Sequence, residues 1–189
     1  MFDPRTLAPE TVARLEKHAK PFVDTVDSVV NRILDEYDRF QEQTEDSDIV
    51  TDGTIKDFDP ASPPNLTHTK VLSVEFNRIK FARSDTNWNA LLNEAIRLAR
   101  KHAKSDDELR RVVLANFAFG RREGEGYRYL ADINLSVQGQ DANSAWKTVF
   151  HIARLLRVQF EIIFAWRLKT DAAHPGTTGR FVYKKVTWI

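Results

Sequence analysis

Arg121 and Arg122 stand in the run Gly120-Arg121-Arg122-Glu123-Gly124-Glu125-Gly126, and Tyr127, Arg128 and Tyr129 follow at once. Guanidinium groups bind phosphate oxygens in pairs, and tyrosine rings stack on bases. Two further basic rows lie on predicted helices. Arg97, Lys101 and Lys104 recur at i, i+4, i+7 spacing with Arg100 beside them, and Lys147, His151 and Arg154 repeat that spacing. Gln138, Gln140 and Asn143 flank the start of the helix that carries the second row. Unpaired N–H groups at a helix start suit phosphate, and amide side chains read the edge of adenine. These types in this pattern predict a DNA-binding face, with the arginines supplying most of the affinity.

Other chemistries are less well served. The chain has no cysteine, which excludes disulfides, thiolate metal sites and cysteine nucleophiles. The five histidines, His18, His68, His102, His151 and His174, fall in no recognised ligand motif. The glycine-rich run lacks the Lys-Ser/Thr of a phosphate-binding loop, and no G-x-S-x-G elbow is present. A metal-dependent nuclease needs converging carboxylates. Asp132, Asp141 and Glu161 lie at predicted strand or helix ends and could converge, but Ile162 and Ile163 follow Glu161 where a lysine two positions on is wanted. The residues therefore assign no catalytic group, metal or cofactor.

Charge is divided along the chain. Residues 1–59 hold 7 Lys/Arg and 15 Asp/Glu, a net of −8; residues 60–189 hold 21 and 12, a net of +9. The asymmetry suggests an anionic partner for the second part. No apolar run reaches the length of a membrane span, and Met1-Phe2-Asp3-Pro4-Arg5 lacks the basic and apolar regions of a secretory signal. The expectation is a cytoplasmic protein.

The elements that must position these residues fall into three stretches. Residues 1–40 predict a helical oligomerisation segment. Pro9 suits a first helical position, and Val12, Leu15 and Ala19 follow at helical spacing. A second helix carries the stripe Val26, Val29, Val30, Ile33, Leu34 and Tyr37. Two helices this short cannot bury their own faces, so self-association or docking is expected. Residues 41–66, acidic and polar with Pro63-Pro64 near the end, predict a flexible linker. Residues 67–189 predict a basic α+β domain in the order β-α-α-β-α-β-β, with a mixed or antiparallel sheet. Its first strand alternates, with Leu72, Val74 and Phe76 on one side. Its clearest strand alternates Val158, Phe160, Ile162, Phe164, Trp166 and Leu168.

The segments Pro9 to Leu15 and Asp24 to Leu34 resemble the two helices of ribbon-helix-helix-type dimerisation modules. They are similar to the N-terminal oligomerisation segment of bacterial replication-sequestration proteins. In that family a strand precedes the first helix, whereas here Pro4 interrupts Phe2 to Leu7. Thr69-Lys70-Val71-Leu72, Asn87-Trp88-Asn89-Ala90-Leu91-Leu92, Glu125-Gly126-Tyr127-Arg128-Tyr129 and Asn134-Leu135-Ser136 resemble a module of bacterial restriction and phage-defence proteins. That resemblance implies DNA-related work and assigns no catalytic residue.

The resulting expectation is a non-enzymatic DNA-binding or accessory subunit that self-associates through its N-terminal helices. A regulatory subunit of a larger enzyme complex and a small metal-dependent nuclease are the alternatives.

Overall fold

The structure, a computed structural model, describes residues 8–17, 29, 30, 33 and 54–184. The chain divides into two units, residues 1–48 and 49–189. In the first, helix α1 spans Pro9–Glu16, with Pro9 in the opening turn where its missing N–H costs nothing. Val29, Val30 and Ile33 are helical; Val29 is buried, and Val30 and Ile33 are half-buried. The other expected oligomerisation residues, Val26, Leu34 and Tyr37, lie outside the described residues.

The second unit is α+β. Its main sheet has five strands in the order β1-β8-β7-β2-β3. These are β1 (Ile55–Phe58), β2 (Thr69–Phe76), β3 (Ile79–Lys80), β7 (Phe160–Trp166) and β8 (Thr178–Tyr183). β1 runs parallel to β8, and the other neighbours are antiparallel, so the sheet is mixed. A smaller antiparallel sheet has the order β4-β6-β5, from Phe117–Phe119, Leu135–Gln138 and Tyr127–Leu130.

Three helices follow from their caps and stripes. α2 (Trp88–His102) begins where Asn87 accepts the Ala90 N–H at 2.8 Å; its buried stripe includes Leu91, Leu92, Ala95, Ile96 and Ala99. α3 (Asp106–Val112) is capped by Ser105, with three acidic residues in its first turn. α4 (Ala142–Leu156) ends at Arg157 in the left-handed conformation. α2 and α4 pack together, and their buried side chains join those of β2, β7 and β8 in one core. Trp146 of α4 stacks on Phe181 at 4.5 Å between ring centroids. Leu130, Leu135 and Val137 of the small sheet enter the same core.

Three expectations are corrected. Residues 54–66 are not linker. β1 lies there, Leu66 is fully buried, and two indoles donate to this segment: Trp146 Nε1 to the Pro60 carbonyl at 3.1 Å and Trp166 Nε1 to the Asn65 carbonyl at 2.9 Å. A short polar segment needs no core of its own when a neighbouring sheet and buried indoles supply its partners. Leu72 does not share a face with Val74 and Phe76. A register shift between Val71 and Ser73 places Val71 in the core and leaves Leu72 exposed. Leu168 falls beyond the end of β7 and is also exposed. Among the described residues, no helix is long and apolar enough to cross a membrane.

Candidate nucleic-acid interface and adjoining cleft

The glycine-rich run is a turn between β4 and β5. Gly120, Gly124 and Gly126 have φ of 76°, 78° and 74°, a region that favours glycine; Glu125 between them sits at 51°. Ser136, fully buried on β6, fastens the turn: its Oγ accepts the Arg122 N–H and donates to the Gly120 carbonyl, each at 2.8 Å. The fastened turn lays the Arg122 guanidinium over Tyr127, 4.3 Å from the ring centre, and brings Arg121 to 6.0 Å from that of Tyr129. Each arginine also meets a carboxylate, Arg121 with Glu123 at 3.0 Å and Arg122 with Glu125 at 2.5 Å. Such exposed pairs contribute only about 0–1 kcal/mol, so a phosphate can displace the glutamates.

Strand alternation divides the expected patch. Tyr127 and Tyr129 share one face of β5 with the two arginines, while Arg128 points to the other face with Leu130.

The amides expected to read bases have partners within the fold. Gln138 donates to the Glu125 carbonyl and accepts from Asn116. Gln140 turns back on the carbonyls of Gln138 and Gly139. Asn143 accepts the Leu66 N–H at 2.8 Å and donates to Asn65 Oδ1 at 3.0 Å and Thr67 Oγ1 at 3.3 Å. The start of α4 does not offer bare N–H groups either. Asp141 Oδ1 accepts from the Asn143 and Ser144 N–H groups, and the Ser144 hydroxyl donates to Oδ2. These bonds hold the Asp141 carboxyl below the usual carboxylate range, with the Ser144 hydroxyl the largest cause. The helix start thus carries its own anion.

Further along α4, Lys147 and Arg154 are exposed and His151 is half-buried, with Arg154 lying 5.8 Å from the Phe150 ring centre. On α2 the arginines are paired, Arg97 with Asp132 and Glu94, and Arg100 with Asp106. Lys101 and Lys104 are exposed and form no ion pair among the described residues. Around the small sheet, Arg110 covers Phe119 at 4.8 Å and Phe117 at 5.7 Å.

The three carboxylates weighed for a nuclease have separate placements. Asp132 binds Arg97 in the turn after β5, Asp141 caps α4, and Glu161 pairs in register with Glu75 in the main sheet. Among the described residues no three His, Asp or Glu side chains gather to hold a metal.

Sequence reasoning missed a cleft of about 400 Å³ between the β3 region, α2 and β5. Ile79, Phe81, Ala90 and Leu130 give it apolar walls, and Lys80, Asp85, Glu94, Arg97 and Arg128 supply charge. Asn93 also lines it. That residue is only 7% exposed, and its amide has no hydrogen-bond partner among the described residues. The available signal was an asparagine set among the apolar positions of α2, between Leu92 and Ala95. No protein-family model, curated protein or solved structure matches the chain.

Proposed function

We propose that the protein is a non-enzymatic nucleic-acid-binding accessory subunit, acting on DNA in a cytoplasmic bacterial defence or DNA-transaction system. It self-associates through its N-terminal helices. The observation that carries this reading is the pair of guanidiniums laid over Tyr127 and Tyr129 on one strand face. Cations interleaved with aromatic rings on a sheet suit the backbone and bases of a nucleic-acid strand together. Lys101, Lys104, Lys147 and Arg154 add exposed positive charge for phosphates. The test is DNA binding by the full chain across a salt series. Log affinity is expected to fall linearly with log salt, and Arg121→Ala with Arg122→Ala to flatten the slope by about 1.4–1.8, two phosphate contacts' worth. Absent or salt-independent binding overturns the reading.

A second reading is a regulatory subunit bound to an acidic surface of a larger protein. It is favoured by the carboxylate partners that Arg97, Arg100, Arg121 and Arg122 already accept within this chain. Co-purification with a partner enzyme, free of nucleic acid, would support it.

A further inference from the structure

Asn93 is 7% exposed, and what stays accessible of it opens on the cleft. Its amide makes no hydrogen bond to the described residues, so its donor and acceptor are left to whatever fills the cleft. Asn93 lies on the face of α2 that lines the cleft, and the half-buried Phe81 lines it as well. At the rim stand Lys80 and Arg128, both exposed and without an ion pair among the described residues. The charge of Arg97 is already met by Asp132 and Glu94. The cleft therefore has an unmet donor–acceptor pair at depth, an aromatic wall, and two unmatched cations at its mouth. Its volume falls within the ~300–1,000 Å³ usual for small-molecule sites.

A ligand that satisfies all three features needs a planar ring with a donor and an acceptor side by side, and an anionic group for the two cations. Adenine presents an N6 donor next to an N7 acceptor, the complement of an asparagine amide; guanine presents two acceptors on the same edge. We propose that this cleft binds an adenine nucleotide, with Asn93 on the base edge, Phe81 against the ring, and Lys80 and Arg128 on the phosphate. Asp85, also at the rim, offers its carboxylate to sugar hydroxyls. The nucleotide comes either from solution or from a strand with one residue turned out of its stack. The site goes beyond the strand-binding face above, because Arg128 and the two tyrosines lie on opposite faces of β5.

Calorimetric titration of the full chain with AMP, adenosine, GMP, oligo-dA and oligo-dT tests this. AMP is expected to bind at least tenfold more tightly than adenosine or GMP. Asn93→Leu should abolish the preference for AMP over GMP. Lys80→Ala with Arg128→Ala should bring AMP down to adenosine's affinity. These two positions are exposed, so that variant reads the site even if Asn93→Leu fails to fold. A preference for oligo-dA over oligo-dT that disappears in Asn93→Leu, with AMP silent, identifies a strand as the source and upholds the site. The proposal is overturned if AMP gives no heat at millimolar concentration and both oligonucleotides bind equally. It is also overturned if AMP affinity is unchanged in both variants. Salt-dependent oligonucleotide binding with a silent cleft leaves the strand-binding reading standing; AMP binding without strand binding leaves only the cleft.

Discussion

Arg97 reaches from α2 to the turn after β5 and grips Asp132 by two bonds, Nε to Oδ2 at 2.7 Å and Nη2 to Oδ1 at 3.4 Å. The Arg97 hydrogen bond is the largest cause holding the Asp132 carboxyl below its ordinary value. The folded state therefore binds this proton less readily than the unfolded chain, where Asp titrates near about pH 3.9. The stability from this pair is fully present above that value and is lost as pH falls through the lower folded value. Because the carboxyl is 53% exposed, the contribution is about 1 kcal/mol or less. Thermal melts of wild type and Asp132→Asn should differ slightly at neutral pH and converge as pH is lowered into the acid range. A gap that widens with acid would contradict this.

Asn143 clamps the Asn65–Thr67 segment through its backbone and side chains. Asn143→Ala removes three hydrogen bonds and leaves the Leu66 N–H without its partner. Urea unfolding should show a loss of about 1–3 kcal/mol. Well below the melting temperature, DNA preference should be unchanged.

Gly179 is the point where two aromatic rings close over the β8 backbone. A Cβ there would come within 2.7 and 2.8 Å of ring atoms of the fully buried Phe164, and 3.0 Å of Phe58. The Phe164 ring cannot yield without moving the core around it. Gly179→Ala should cost about 1–3 kcal/mol in denaturant unfolding.

Its neighbour Thr178 should respond oppositely. The Thr178 hydroxyl is buried and finds no hydrogen-bond partner among the described residues. Thr178→Val keeps the shape and removes the unmet group, so stability should hold or rise by up to about 1–2 kcal/mol. A marked loss would reveal a partner for the hydroxyl.

What the sequence revealed follows from the range of the forces involved. Helix starts at Asn87, Ser105 and Asp141 depend on bonds across two or three residues, and each is legible in the local chain. The alternation from Phe160 to Trp166 is equally local. By contrast, the outward turn of Leu72 is not local, because the bulge that causes it is a property of the pairing with β7. The fate of the amides was hidden for the same reason: Asn143 and its Leu66 partner are 77 positions apart. The arginine-rich turn was visible in the sequence, but not its fastening by Ser136. The cleft joins three separated segments, so no single stretch announces it.

The pairing of β1 with β8 has a consequence for synthesis. Asp57 and Arg180, joined across that pair at 2.6 Å, stand 123 positions apart. A chain emerging from the ribosome presents Ile55 to Phe58 long before β8 exists to receive them. Until then the segment that shelters the Trp146 and Trp166 indoles has no sheet to join. Closure is a late, non-local step that carries a large loop-closure cost. The unit's two ends thus act as a clasp, and truncation at either end would leave the edge of β7 or β8 open to pairing with another chain.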